Sequence, residues 1–274
     1  MSLEEQVEKC MKIHDILAEF WNWAYYDTSH RDCSWLLSEY VKKLKPDVQN
    51  RVPVMMQEME ESLKQHHDSS FSFLDVGCGV GGFLDKAISS LSEKFPNIKL
   101  KATGIDLSRE MINYASKNLH DLDVELVCDN ITNQDLKFKN EPFDVAILMV
   151  TLAFYDDENA KEVLYAVRNK LKGDGTLLFM DFAQSYKWRD FSFLKKPLQR
   201  LTNMFFSHLV GEPFHFHNRS QDHLKTLLKD TGFDVTMSYL SEKKSKMKGM
   251  LVIAAEKETP EQELPVKLLV SEHA

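Results

Sequence analysis

The chain has 274 residues, a formal net charge of −8 and a hydrophobic fraction of 43%, which suits one large α/β domain or two small domains. The acidic balance creates no attraction toward a nucleic-acid backbone, so DNA is not expected as a partner and RNA is disfavoured. The sequence has no apolar run of the roughly 18 residues that a membrane span needs, no secretory signal in MSLEEQVEKC and no CxxC pair among its four cysteines. We therefore expect a cytoplasmic protein without a transmembrane segment or a bound metal.

The first 66 residues have a helical pattern, because apolar residues recur at three- and four-residue spacing from Val7 through Leu17. Two further helices are predicted at 35–44, ending before Pro46, and at about 54–65. The aromatic cluster WNWAYY at 21–26 either packs this region onto the rest of the chain or closes over a ligand and excludes water. We assign residues 1–70 as an N-terminal helical lid.

A short apolar strand at 71–76 runs directly into a turn with glycines at 77, 79, 81 and 82. Such a turn, placed at the start of a helix, brings bare backbone N–H groups and the positive end of the helix dipole to a ligand. Asp75 lies inside the strand, two residues before the first glycine. A carboxylate there opposes an anionic pyrophosphate and favours a cationic ligand, so we predict a site for a small cationic molecule.

Strands and helices alternate after the turn. Predicted strands cover 97–105, 124–127, 143–150 and 176–180, with intervening helices that include one capped by Ser108 and one at 158–171. Asp106 follows the first of these strands and Asp129 the second. Successive β-α-β units predict a doubly wound open sheet that binds its ligand at the carboxyl ends of the strands.

Residues 182–219 interrupt this alternation with a segment rich in aromatic and basic side chains. The segment is either a helix pair on the sheet edge with solvated Lys and Arg or a cap over the substrate. A helix at 221–231 and two strands at 233–240 and 249–256 follow, and their short link makes the two strands antiparallel. We therefore predict a ligand-binding domain at 71–256 with a cap insertion at 182–219, and a loose tail at 257–274.

The pattern Asp75-x-Gly77-x-Gly79-x-Gly81 resembles the first motif of the class I (Rossmann-like) S-adenosylmethionine (SAM)-dependent methyltransferases. An NAD(P)-dependent oxidoreductase competes, because the glycines also satisfy the dinucleotide pattern GxGxxG. Asp106 does not separate the two classes, since an acidic residue after the second strand binds ribose hydroxyls in both. Asp75, Asp129 and the antiparallel final strand pair match the methyltransferase pattern.

The resemblance covers residues 71–256 and implies a doubly wound seven-stranded α/β sheet in the order 3-2-1-4-5-7-6 with the last strand antiparallel. It implies SAM as cofactor and S-adenosylhomocysteine (SAH) as product. Asp106 would accept from both ribose hydroxyls, Asp129 would accept from the adenine amine, and Leu148 would offer its carbonyl to the ligand ammonium. The implied cofactor-binding residues are Asp75, Gly77, Cys78, Gly79, Gly81, Asp106, Leu107, Met111, Asp129, Asn130, Ile131 and Leu148.

Within this superfamily the aromatic insertion is similar to ubiquinone and menaquinone methyltransferases, which implies in-line methyl transfer to a small, partly apolar acceptor. Residues 151–154 and 51–53 resemble carboxy-SAM synthases of tRNA modification, which is one alternative. A non-catalytic SAM-binding protein is another, because Ala153 stands where many small-molecule members have a His. Candidates for substrate contact or proton removal are Tyr25, Tyr26, His215 and His217. The sequence indicates no oligomeric state.

Overall fold

The computed structural model describes residues 2–25, 56–66, 68–182, 217, 219–240 and 250–257. The helices in these ranges are α1 Leu3–Tyr25, α2 56–64, α3 Gly82–Lys94, α4 Arg109–Asn118, α5 Asp157–Lys170 and α6 Gln221–Asp230. The strands are β1 Ser70–Val76, β2 Lys99–Asp106, β3 Val124–Cys128, β4 Phe143–Met149, β5 Leu171–Phe182, β6 Phe233–Leu240 and β7 Met250–Lys257. A 3₁₀ turn at Leu152–Phe154 lies between β4 and α5.

The strands form one sheet in the order β3-β2-β1-β4-β5-β7-β6. Strands β1 to β5 pair in parallel, and β7 is antiparallel to both of its neighbours, β5 and β6. The predicted α/β class with a Rossmann-like parallel sheet is confirmed. In such a sheet the carboxyl ends of β1, β2, β3 and β4 meet at one edge, which is where ligands bind.

Helices cover both faces of the sheet, and β1 shows how its sequence specifies this. Phe71 and Phe73 pack on the face covered by α2, α3 and α4, while Leu74 and Val76 pack on the face covered by α5 and α6. Successive side chains of a strand point to opposite faces. Because helices cover both faces, all four side chains are at most 3% exposed. A strand buried on both faces is continuously apolar, so Asp75 within it is an exception that needs a reason.

Helix starts follow ordinary capping chemistry. The predicted cap at Ser108 is confirmed, since its hydroxyl accepts from the Met111 N–H at 3.0 Å. Asp156 caps α5 in the same way by accepting from the Asn159 N–H at 3.0 Å. Each cap satisfies an N–H that the first turn of a helix leaves without a partner. Both caps lie at the carboxyl edge of the sheet and so help to position the loops there.

Some predicted bounds differ from the structure. Strand β5 begins at Leu171, which pairs with Phe143 ahead of a register shift, whereas the sequence predicted a turn before a strand at 176. The predicted helix at 35–44, almost all of the insertion at 182–219 and the tail lie outside the described residues. No helix in the described part of the chain is long and apolar enough to cross a membrane.

Candidate functional site

The turn after β1 requires glycine at specific positions. Gly77, Gly79 and Gly81 have φ values of 80°, 55° and 84°, in the left-handed region that side-chain-bearing residues avoid. A Cβ atom on Gly77 would lie 2.6 Å from Thr151 Oγ1, and one on Gly81 would lie 2.7 Å from Leu119 Cδ1. The turn is therefore packed tightly against the loop after β4 and the end of α4.

The backbone N–H groups of this turn are engaged by the protein, which corrects the prediction that they are bare. The N–H groups of Gly77 and Cys78 donate to the Ile105 carbonyl at 2.8 and 3.1 Å. The N–H of Gly79 donates to Asp106 Oδ2 at 2.9 Å. The end of β2 lies beside the turn and supplies these acceptors. A pyrophosphate would find no free N–H at these three positions.

Asp106 is held rigidly at the carboxyl end of β2. One carboxylate oxygen accepts from the Gly79 N–H and the other from the Ser108 N–H, both at 2.9 Å. The side chain is 5% exposed, and it lines the cavity described below. Two fixed backbone donors orient this carboxylate and leave its remaining lone pairs for a ligand.

Asp129 follows β3 and is also oriented by neighbours. Its Oδ1 accepts from the Asn130 N–H at 2.6 Å and its Oδ2 accepts from Asn133 Nδ2 at 3.1 Å. Asn130 in turn accepts from the Thr132 N–H at 3.1 Å. These local bonds fix the conformation of the loop after β3 and orient Asp129, which is the second carboxylate of the site.

Asp75 is buried in the sheet beneath the turn. It is 2% exposed, and no described side chain or N–H donates to its carboxylate. Burial and the nearby Asp106 carboxylate raise the pKa of Asp75 to about 7. A buried charge without a partner is costly, so this shift makes Asp75 a candidate functional residue next to the cleft.

A cleft of about 440 Å³, counting its open mouth, lies between the turn, the strand ends, the loop after β4 and helix α1. Its lining consists of Cys10, His14, Val76, Gly77, Ile105, Asp106, Leu107, Asp129, Asn130, Ile131, Thr151, Phe154, Tyr155 and Val163. Six residues predicted to bind cofactor thus meet in one cavity: Gly77, Asp106, Leu107, Asp129, Asn130 and Ile131.

The other predicted residues lie around this lining. Six of the residues predicted to bind the cofactor do not line the cavity: Asp75, Cys78, Gly79, Gly81, Met111 and Leu148. Met111 packs against Ala18 and Val80, and Leu148 is fully buried in the core on the α5 side.

The four candidates for substrate contact fare differently. Tyr26 and His215 lie outside the described residues, as does the side chain of Tyr25. The His217 N–H donates to the Ala153 carbonyl at 2.8 Å. His217 therefore lies beside the loop after β4, and its role in catalysis stays a prediction.

One side of helix α1 carries residues spaced four apart, which are Gln6, Cys10, His14, Ala18 and Asn22, and of these Cys10 and His14 line the cavity. The Gln6 amide bonds Asp156 in both directions, donating to its carboxylate and accepting from its N–H at 3.1 Å. Ser108 donates to Asp15, and Asn118 Nδ2 donates to Asn22 Oδ1 at 2.8 Å. The helix is therefore tied to the loops after β4 and β2 and to the end of α4.

His14, which lines the cavity from α1, was not among the site residues predicted from the sequence. Its ring meets Phe154 edge-on at a centroid distance of 4.7 Å. Burial lowers the pKa of His14, while the carboxylates of Asp106 and Asp15 oppose that shift. The signal that could have found it is the four-residue series of polar and small side chains within an amphipathic helix.

Arg219 was grouped with the basic insertion, for which a solvated surface and a substrate cap were the two interpretations. The structure corrects this for Arg219, which is 4% exposed. Its guanidinium donates to the carbonyls of Leu152 and Tyr155 at 3.0 and 2.6 Å and to Asp157 Oδ1 at 2.7 Å. A planar guanidinium with several donors suits this role. Arg219 therefore holds the loop after β4 in place.

Val150 provides a second constraint on the same loop. Its φ of 63° is unusual for a β-branched residue, and its N–H donates to the Met180 carbonyl at 2.7 Å. The next residue, Thr151, donates its hydroxyl to the Val76 carbonyl at 2.9 Å. Strained backbone of this kind is concentrated at functional sites. Here it accompanies the exit from β4 into the cavity wall.

The sequence matches known methyltransferases. Residues 73–175 match the family described as "Methyltransferase domain". The chain is 32% identical over 114 residues to a malonyl-[acyl-carrier protein] O-methyltransferase from Acetivibrio thermocellus, covering 42% of this chain and 36% of the relative. It is 31% identical over 185 residues to the Homo sapiens tRNA N(3)-cytidine methyltransferase METTL6, covering 65% of this chain and 61% of the relative. The chain thus spans less than two thirds of these relatives.

The fold also matches a solved structure. Magnesium protoporphyrin IX methyltransferase (ChlM) from Synechocystis PCC 6803 with bound SAH aligns with a TM-score of 0.61 and 15% identity, covering 90% of this chain and 98% of that chain. At this identity the likeness concerns the fold alone. Residues 73–175 of this chain are thus similar in sequence to the methyltransferase-domain family, and the chain shares its fold with this solved methyltransferase.

Proposed function

We propose that the protein is a SAM-dependent methyltransferase that transfers a methyl group to a small, partly apolar acceptor. The observation that carries this proposal is the placement of Asp106 and Asp129 in one cavity at the ends of β2 and β3. A pair of oriented carboxylates there suits the ribose hydroxyls and the adenine amine of one nucleoside. The twelve cofactor-binding residues predicted from the sequence are part of this proposal.

The chemistry of the cavity fits a cationic nucleoside better than a dinucleotide. Its described lining contains two carboxylates and no Lys or Arg. The N–H groups of Gly77, Cys78 and Gly79 are already bonded within the protein. Asp75 adds a buried carboxylate close to the turn. The two phosphates of NAD would lack both cations and donors here, whereas the positive charge of SAM would be balanced.

When bound, SAM would supply an electrophilic methyl group on its sulfonium; the acceptor would bond to the methyl carbon as the C–S bond breaks, and the electron pair left on sulfur would make neutral SAH a leaving group that needs no proton. The contribution of this chain is to position the two molecules and to exclude water. Helix α1, within the proposed lid at 1–70, contributes Cys10 and His14 to the cavity wall. Helix α2 instead packs its Met59 and Leu63 in the core beside α3. The lid role is therefore proposed for α1.

An apolar acceptor is supported by the wall next to the turn, where Phe154, Tyr155 and Cys10 line the cavity. The proposed cap at 182–219 would complete the acceptor site. A direct test incubates the protein with labelled SAM and a metabolite extract and then identifies labelled products. Product formation excludes a non-catalytic SAM-binding protein. Labelled carboxy-SAM, formed from the labelled SAM itself, in place of a methylated metabolite would assign a carboxy-SAM synthase.

Cofactor choice is tested separately by isothermal titration calorimetry with SAM, SAH and NAD⁺. We expect micromolar binding of SAM and SAH. Tight NAD⁺ binding without SAM binding would contradict the proposal.

The match to METTL6 over 65% of this chain makes tRNA the second candidate acceptor. The net charge of −8 disfavours it, because RNA binding depends on phosphate neutralisation. A gel-shift titration with bulk tRNA at low and physiological salt distinguishes the two. Salt-sensitive retardation of tRNA would favour the RNA acceptor, and unchanged mobility would favour a small molecule.

A further inference from the structure

We propose that the imidazole of His14 and the hydroxyl of Tyr155 together bind the carboxylate of the methionine part of the cofactor. This inference rests on the function proposed above and adds a residue of α1 and a residue of the loop after β4 to the cofactor site. Neither residue was among those implied by the sequence motif. Both line the cavity.

The methionine carboxylate needs hydrogen-bond donors when it leaves water for a buried site. The described lining supplies no cationic side chain for it. The turn cannot supply N–H donors from Gly77, Cys78 or Gly79, because all three are bonded to Ile105 or Asp106. Among the described residues, we therefore look for donors to the carboxylate in other side chains of the wall.

The remaining polar groups at this end of the cavity can be compared. The Thr151 hydroxyl donates to the Val76 carbonyl at 2.9 Å, and the thiol of Cys10, a weak donor, lies 3.9 Å from the Phe154 carbonyl. The ring nitrogens of His14 and the hydroxyl of Tyr155 make no hydrogen bond with any described residue. Tyr155 is 4% exposed and lines the cavity.

Neighbouring residues contact both His14 and Tyr155 without bonding to the imidazole nitrogens or the tyrosine hydroxyl. The His14 ring packs edge-on against Phe154, and the main chain of Tyr155 is fixed by the bond from Arg219 to its carbonyl at 2.6 Å. A neutral imidazole carries one N–H in either tautomer, and a tyrosine hydroxyl carries one O–H. Two donors on separate elements that both line the cavity can receive one carboxylate.

The test compares two ligands that differ by the carboxylate alone. Calorimetry is performed with SAH and with decarboxylated SAH, in which an aminopropyl chain on sulfur replaces the amino-acid part. For His14→Ala and for Tyr155→Phe, we expect the Kd of SAH to rise about tenfold, because each loses one bond to a charged group. The Kd of decarboxylated SAH should change less than about twofold.

Two controls accompany these variants. His14→Gln keeps a side-chain N–H donor, so its SAH affinity should stay within about threefold of wild type. Lys12→Ala alters an exposed position of α1 that pairs with Glu8 and should leave both affinities unchanged. Equal losses for both ligands in H14A and Y155F, or no loss for either, would overturn the carboxylate assignment. A wild-type protein that binds neither ligand would instead refute the proposed function.

Discussion

At the scale of single residues, we propose that cofactor binding depends most on the carboxylate of Asp106. Its two oxygens are oriented by the N–H groups of Gly79 and Ser108. For Asp106→Asn we expect SAH binding to weaken about ten- to a hundredfold, since a charged acceptor for the ribose hydroxyls is lost. Calorimetry with SAH measures this, and a thermal scan checks that the variant is folded. An unchanged Kd would exclude Asp106 from the ligand contact.

Asp75 leads to a pH-dependent prediction for stability. Its pKa is about 7 in the folded protein against 3.8 ordinarily, so the folded state holds this proton while the unfolded state releases it. The stability contributed by Asp75 is therefore highest below about pH 4 and is lost as pH rises to about 7. The difference in free energy of unfolding between Asp75→Asn and wild type should therefore rise in favour of the variant by up to about 3 kcal/mol from pH 5 to pH 8. Urea denaturation at both pH values measures this.

Asp144 provides a control of opposite sign. Burial opposes its ionisation, but hydrogen bonds from Lys172 at 2.6 Å and Ser72 at 2.7 and 2.8 Å outweigh that effect and lower its pKa. Its stabilisation is present above about pH 4 and is lost only as pH falls further. Asp144→Asn should therefore lower stability by a similar amount at pH 5 and pH 8. If the effect of Asp75→Asn on stability were the same at pH 5 and pH 8, the raised pKa assigned to Asp75 would be contradicted.

At the scale of elements, α1 is the cover of the site and Gln6 is its attachment to the loop after β4. Gln6 is 2% exposed and bonds Asp156, the cap of α5, in both directions. We expect Gln6→Ala to raise the dissociation rate of SAH about five- to tenfold, because α1 opens more readily without this pair. Surface plasmon resonance measures the rate, with Lys12→Ala as the matched variant on the exposed face of α1.

The loop after β4 is the second element that shapes the cavity. Arg219 binds two of its carbonyls, and Val150 has a backbone conformation that its side chain disfavours. The sequence indicated neither feature, because the partners of Arg219 lie more than 60 residues away in the chain. A helical period can be read from neighbouring residues, but a contact of this range requires the folded chain.

At the scale of the whole molecule, ligand binding should stabilise the native state. A ligand at a hundred times its Kd adds about 2.7 kcal/mol to the free energy of unfolding. For a domain of this size that corresponds to a Tm increase of roughly 5–10 °C. Differential scanning fluorimetry with SAH measures the shift, and NAD⁺ at equal concentration is the control. A shift with NAD⁺ and none with SAH would contradict the proposed cofactor.

The α/β class and the position of the ligand edge could be predicted from sequence for a local reason. The apolar run at 143–149 and the alternation of strands and helices are patterns of neighbouring residues. The cap at Ser108 and the left-handed glycines at 77, 79 and 81 are likewise local. The bounds of the strands were predicted less accurately. Strand β5 begins before the glycines at 173 and 175, because Leu171 pairs with Phe143.

The sequence by itself was enough to predict the cofactor class, because Asp75, the glycine turn and the acidic residues after two strands are encoded within short segments. Only the tertiary structure decided which donors are already used and which remain. It showed that the turn N–H groups face Ile105 and Asp106, and that His14 of α1, more than 50 residues before β1 in the chain, lines the cavity. Hydrogen-bond partners across such distances depend on how the layers pack, which a one-dimensional pattern does not record.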